Sequence, residues 1–345
     1  KRYAESAKLV DKTKEYEETV LNKMKIDIDL KSLINSYYEK IDEPLRDTSN
    51  KILNVISDNT YSFIGGSADL FSSTKTYTYN GGDFSSTNYT GKNIYYGVRE
   101  HAMASLSNGI ASIGLRPYTS TFLVFSDYMK PSIRLACLMK LPVLYIFTHD
   151  SITVGEDGAT HEPIEQLSML RSIPNLVVYR VSDANELLNS YNEILKRCEP
   201  SCLVVSKNTS KLLPVCGDVK NGAYIVKKET GRLNAIIIAT GTEVNLALNV
   251  AYSLEEQGIN LRVVSMPSVG LFLKSDILYQ KEILPDGYKK IVLEYSNCLD
   301  FYRFTTSKYI ININTFGCSG QCDHVLKKYN LDYESVKNHI IEILK

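Results

Sequence analysis

The chain has 345 residues, 44% of them hydrophobic and 23% charged, which excludes a disordered chain and leaves room for roughly two domains. Lysine plus arginine and aspartate plus glutamate number 39 each, so a net charge of zero offers no handle to nucleic acid or an anionic membrane. No apolar run approaches the ~20 residues of a membrane span, the first residues lack the pattern of an export signal, and seven scattered cysteines suit reduced thiols in a cytoplasmic protein better than a disulfide framework.

Residues 1–45 are rich in Lys, Glu and Tyr, with Ile26, Ile28, Leu30, Leu33 and Ile34 at loose helical spacing. They read as surface helices or a connecting arm. Lys1 enters what resembles the middle of a charged helix, which points to a processed chain or a fragment. From Arg46 the pattern alternates. RDTSNKILNVISD fits an amphipathic helix, YSFIGG a short strand, IYYGV a second apolar run, and HAMASLSNGIASIG a helix stopped by Gly114. PYTSTF leads into a helix through SDYMKPSIRLACLMK; PVLYIFTHD, PNLVVYRV and CLVVSK are strands, with a helix over DANELLNSYNEILKRC. Strands that are apolar throughout and alternate with helices predict a mainly parallel sheet covered on both faces.

A polar connection over 207–222 marks a boundary. Beyond it AYIVKK, NAIIIATG, NLRVVSMP, KKIVLEYS and YIININTFG read as strands, with helices at EVNLALNVAYSLEEQG and LDYESVKNHIIEIL. The expected fold class is therefore α/β, with two α/β sandwich domains: a mainly parallel-sheet unit over 46–210 and a smaller one over 211–345, preceded by a linker over 1–45.

In such sheets functional groups gather where strands end. Asp69, Glu100, His149 and Lys207 each follow an expected strand. One polar strand end is ordinary; four together point to a site. Glu100 opens a helix among Tyr95, Tyr96, Val98, Ala102 and Met103, where a carboxylate is desolvated and suited to proton work, although an acidic first turn is also common in purely structural helices. Phe122, Phe125 and Tyr128 are spaced by three and would share a helical face, either as a core stripe, the commoner case, or as a pocket for a flat heterocycle. His149, Asp157 and His161 lie on a loop opened by Gly155 and Gly158, a spacing that suits acid–base groups around a polar substrate better than zinc. Cys198 with Cys202 and Cys318 with Cys322 are four apart; all seven cysteines read as packing residues, with a residual metal candidacy at Cys318 and Cys322.

Together, GGSADL (65–70), YGVREHAM (96–103), TFLVFSDY (121–128) and THDSITVGEDGATHEPIEQL (148–167) resemble transketolase, and ATGTEV (239–244) and RVVSMPS (262–268) extend the likeness. The resemblance runs from about Arg46 to the end and covers roughly half of the family's chain. It implies the pyrimidine-binding and C-terminal domains of an enzyme that uses thiamine diphosphate and Mg or Ca to move a two-carbon ketol unit from a ketose phosphate to an aldose phosphate. It further implies a place in the pentose phosphate pathway, and a homodimer with the active site at its interface. Glu100 matches the glutamate that hydrogen-bonds the cofactor's pyrimidine nitrogen and promotes its imino tautomer; Phe122, Phe125 and Tyr128 match the pocket around that ring. Asp69 matches an aspartate near the thiazolium. His149, Asp157 and His161 match sugar-binding positions, and Arg46, Ser73, His149 and Lys207 phosphate-binding ones. Glu100, His149 and His161 are thus the expected catalytic residues. Lys207 stands where the family has Arg, and Thr74 where it has Asn, which predicts weaker or reoriented phosphate binding.

No GDG-type metal motif occurs, and no metal ligand is assigned in this chain; the diphosphate and cation would be held by a missing N-terminal domain or a split subunit. The chain alone is expected to be inactive. Competing readings are a related thiamine enzyme, such as dihydroxyacetone synthase or deoxyxylulose phosphate synthase, and a non-catalytic dimerisation or binding half.

Overall fold

The computed structural model describes residues 13–14, 16–18, 25–26, 28–33 and 43–345, and Ile34 with most of the expected arm lies outside them. Ile26 and Leu30 are buried against the first core, so that part of the arm packs down.

The first sheet has six strands in the order β2-β1-β3-β4-β6-β5, every pairing parallel. They are β1 (Phe63–Ser67), β2 (Asn93–Tyr95), β3 (Arg116–Phe122), β4 (Leu144–Thr148), β5 (Val177–Arg180) and β6 (Ser201–Val205). Helices α1 (Leu45–Asp58), α2 (Glu100–Ser112), α3 (Ser126–Met139), α4 (Gln166–Arg171) and α5 (Ala184–Leu195) cover it. One apolar cluster joins α1 and α5 to Phe63, Tyr118 and Leu144 on one face; another joins α2 and α3 to Tyr145 and Phe147 on the other. Both faces are covered, as continuous apolar strands require.

The expected lead-in PYTSTF is itself strand β3, central and buried over all seven residues. Its Thr and Ser residues hid it from an apolar-run reading, yet β-branched and aromatic residues suit a strand. Ser120 Oγ is hydrogen-bonded to Thr76 Oγ1 at 2.5 Å, so part of this buried polarity is satisfied. Gly66 in β1 permits the close approach of β2: a Cβ there would fall 1.9 Å from the Ile94 carbonyl oxygen.

The second sheet has five strands in the order β11-β10-β8-β9-β7, parallel except for β7 against β9. They are β7 (Tyr224–Lys227), β8 (Leu233–Ala239), β9 (Asn260–Ser265), β10 (Lys289–Leu293) and β11 (Ile310–Ile311). Helices α6 (Glu243–Glu255), α7 (Cys322–Lys328) and α8 (Tyr333–Leu344) belong to this unit. The expected strand YIININTFG shrinks to two residues, and the chain then runs as a loop to α7. The α/β class and the two sheet units agree with expectation. Among the described residues no helix is long and apolar enough to cross a membrane.

Candidate active site

The carboxyl edge of the first sheet gathers the polar strand ends. Asp69, two residues past β1, is exposed and left-handed (φ 63°), as is buried His149 directly after β4 (φ 59°). Glu100 is the first residue of α2, reached from β2 through Gly97 (φ 69°), where a Cβ would strike the Arg99 guanidinium. Glu100 is buried, and among the described residues its carboxylate has no side-chain partner.

The aromatic triplet does not occupy one helical face. Phe122 ends β3, Phe125 closes a one-turn 3-10 segment, and Tyr128 lies in α3. The rings nevertheless form a row: Phe122 and Phe125 stack at 5.8 Å, Phe125 and Tyr128 at 6.2 Å. Tyr128 is 62% exposed, which removes the core-stripe reading. A pocket of about 620 Å³ opens beside it, lined by Ala68, Asp69, Glu100, Phe125 and Tyr128 among others. Apolar walls with one buried carboxylate suit a flat heterocycle that offers a single hydrogen-bonding edge. Val98 and Tyr95, expected to shield Glu100, are instead exposed.

Two histidines close the other side of the row. The His149 ring lies 3.7 Å from that of Phe122, and His161 meets Phe125 edge-on at 5.4 Å. Each Nδ1 is anchored on the preceding threonine, Thr148 and Thr160, at 2.8 Å. Burial pushes His149 down to about 3, helped by the charges of Lys207, Arg46 and His161. His149 is therefore neutral near pH 7 and surrounded by cations, an environment that awaits an anion.

Those cations come from separate elements. Arg46 opens α1, its backbone N–H bonds Ser206 at the end of β6, and its Nη1 donates to the Ser73 carbonyl at 2.9 Å. Lys207 donates to the Val154 carbonyl and lies 4.0 Å from Asp157. Thr74 faces inward: its hydroxyl bonds the Leu70 carbonyl and Thr76 at 2.9 Å, so it belongs to the wall behind β3 and not to the cationic group.

Two features escaped the sequence. Arg180, at the end of the apolar strand VVYRV, is fully buried and donates to Asp150 (2.9 Å), Glu243 (2.7 Å) and Thr240. Arg171 grips Glu294 (2.8 Å) and Asp300 (3.1 Å). Burial alone raises Glu294, but Arg171 and Arg180 hold it well below the usual carboxylate range; burial wins at Glu243, which is raised. The two arginines of the first unit thus bind carboxylates of the second, and Arg180 also holds Asp150, the residue after His149, within its own unit. A charged residue inside an uninterrupted apolar strand was the available signal. The other feature is buried Glu162, beside His161. The seven cysteines are free thiols, and among the described residues no group of three or more His, Cys, Asp or Glu could hold a metal ion.

Residues 44–211 match the family model of the transketolase pyrimidine-binding domain, and 222–332 that of the transketolase-like C-terminal domain. A transketolase of Aquifex aeolicus is 41% identical over 312 residues, 88% of this chain and 45% of that protein. The crystal structure of a Pichia stipitis transketolase with sedoheptulose 7-phosphate superposes with a TM-score of 0.91 at 31% identity, over 98% of this chain and 51% of that one. A split-gene transketolase, described as an inactive β4 tetramer, shares the fold (TM-score 0.70, 22% identity, 88% of this chain, 99% of that one). The chain spans about half the length of the curated relatives it matches.

Proposed function

The chain belongs to the transketolase family, and on that premise we propose that it is the part of a thiamine-diphosphate-dependent transketolase that holds the cofactor's pyrimidine end and the sugar phosphate. The whole enzyme would transfer a two-carbon ketol unit from a ketose phosphate to an aldose phosphate, a step of the cytoplasmic pentose phosphate pathway. We assign 46–210 to the pyrimidine-binding domain, 211–345 to the C-terminal domain and 1–45 to a linker. The observation that carries this reading is a buried Glu100, without a side-chain partner among the described residues, on the wall of an aromatic pocket at the sheet's carboxyl edge.

Bound thiamine diphosphate supplies a nucleophilic thiazolium carbon, and this chain's residues orient it. Glu100 would hold a proton at the pyrimidine ring nitrogen, while Phe122, Phe125 and Tyr128 would pack against the ring and fix its plane. Asp69 stands towards the thiazolium side. Neutral His149, together with His161, binds and exchanges protons with the sugar carbonyl and hydroxyls; Asp157 accepts from a hydroxyl. Arg46, Lys207, His149 and Ser73 receive the phosphate, with Lys207 contributing a point charge where the family has a fork. Because Thr74 faces inward, its departure from the family pattern leaves phosphate binding unchanged. The diphosphate and its divalent cation, Mg or Ca, fall to the half of the relatives' length that this chain does not span.

Helices α2 and α3 present Leu106, Leu135, Leu138 and Met139 to solvent, each more than half exposed. An apolar face of that extent marks an interface, and we assign it to a homodimer.

Glu100→Gln in the full-length enzyme tests the reading. Turnover of xylulose 5-phosphate with ribose 5-phosphate falls by about 10²–10⁴-fold while the melting temperature holds. Near-normal turnover refutes the role of Glu100, and a preference for formaldehyde as acceptor turns the assignment to a dihydroxyacetone synthase.

A further inference from the structure

The loop 155–162 carries Asp157 and His161, and its reverse side rests on the second unit. Ser319 Oγ donates to the Glu156 carbonyl at 2.8 Å, and a Cβ on Gly158 would stand 3.2 Å from that of Ser319. Helix α7 packs against the turn Ile152–Val154 that begins the loop.

Between loop and turn sits Glu162, 2% exposed. Among the described residues neither carboxyl oxygen finds a hydrogen-bond donor of ordinary geometry, although the Cys318 backbone pulls on it. The carboxyl lies against the backbone of Gly317, where a Cβ would fall 1.5 Å from Oε2, so any larger residue there displaces the carboxyl. The groups facing it are Cys318 on the turn, Lys328 at the end of α7 and Tyr329 after it. On its own loop the neighbour is His161. Lys328 makes no ion pair with Glu162 and lies over the Tyr329 ring at 5.5 Å.

A buried anion with no donor of ordinary geometry is strongly disfavoured, whereas the neutral acid has no charge to desolvate against the turn. We propose that Glu162 is a positioning residue: protonated, it seats the 155–162 loop on the Gly317–Gly320 turn, and ionised, it loosens that seat, so the second unit governs how Asp157 and His161 meet the sugar phosphate. Burial pushes Glu162 up to about 7, against a smaller opposing pull from the Cys318 backbone and Lys328, which places the change near neutrality. The proposal rests on the substrate-loop reading above.

Hydrogen exchange of peptides covering 155–162 and 317–320, followed against pH in the full-length enzyme, tests it apart from activity. With intrinsic exchange corrected, protection in the wild type falls by up to about tenfold per pH unit above about 7. Glu162→Gln stays protected at every pH, and Gly317→Ala is open at every pH. KM for the ketose phosphate rises with the same midpoint in the wild type, kcat does not, and Glu162→Gln abolishes the trend. A pH-independent loop in the wild type, or an unchanged pH trend in Glu162→Gln, overturns the proposal. Should Glu162→Gln fail to fold, Lys328→Met carries the test: without the nearby cation the midpoint moves up, and an unmoved midpoint overturns it. Loss of loop titration with normal ketol transfer sinks only this proposal; absent ketol transfer with intact loop titration sinks only the functional reading.

Discussion

Arg180→Met should be the most damaging single change away from the pocket. Arg180 has no exposed surface, and its fork reaches Asp150 from Nε and Nη2 (3.1 and 2.9 Å) and Glu243 from Nη1 and Nη2 (2.7 and 3.0 Å). Methionine fills similar space but leaves two buried carboxylates without their cation. Breaking a buried pair in this way costs ~3–5 kcal/mol, because the uncompensated charge remains. At roughly 2–4 °C per kcal/mol the melting temperature should fall by about 10 °C. Asp150 and Glu243 sit on different sheet units, so the loss should also split one calorimetric transition into two. Arg180→Lys keeps the charge but not the fork and should lie between. If stranded charge is the cause, adding Glu243→Gln to Arg180→Met recovers part of the loss. An Arg180→Met protein within ~1 kcal/mol of wild type, or no recovery in the double variant, refutes the reasoning.

His149 sets an acid limb. Its folded value, about 3, lies below the ordinary value near 6.5, so the fold prefers the neutral ring; this contribution is complete above about 6.5 and is lost as pH falls towards 3, a few kcal/mol at most at ~1.4 kcal/mol per unit. His149→Asn should flatten that part of an acid-unfolding curve, and Lys207→Gln should raise the His149 midpoint seen by NMR; a midpoint unmoved by removing Lys207 contradicts the assignment. Lys207→Arg should lower KM for phosphorylated sugars a few-fold by restoring a fork, with kcat unchanged; an equal KM would show that residue 207 does not meet the phosphate.

The fold was legible wherever burial was continuous. VLYIF and AIIIA could only be strands packed on both faces. Arg116–Phe122 was missed because Tyr, Thr and Ser fill a central strand, its buried polarity met in part by Thr76 and Gly66, which partner the Ser120 hydroxyl. Short elements such as Ile310–Ile311 lie below what periodicity resolves, since two residues carry no period.

The site divides along a different line. Spacing correctly grouped Phe122, Phe125 and Tyr128 but for the wrong reason, because a strand end, a 3-10 turn and a helix start happen to keep three rings in one row. His149, Arg46 and Lys207 sit 161 residues apart at their extremes and meet only through parallel pairing of β4 and β6, which sequence distance conceals. The Arg180 network was harder still, since its partners Asp150, Glu243 and Glu294 span both units. That network has a consequence for the pocket. His149 is left-handed, and Asp150 is its next residue; a backbone held in a costly conformation persists only where its surroundings over-determine it. Arg180, clamped by Glu243 of the second unit, supplies that restraint through Asp150. On the proposal above, Glu162 against Gly317 seats the loop that carries His161. Both histidines that flank the aromatic row are therefore braced by the second unit, although neither belongs to it.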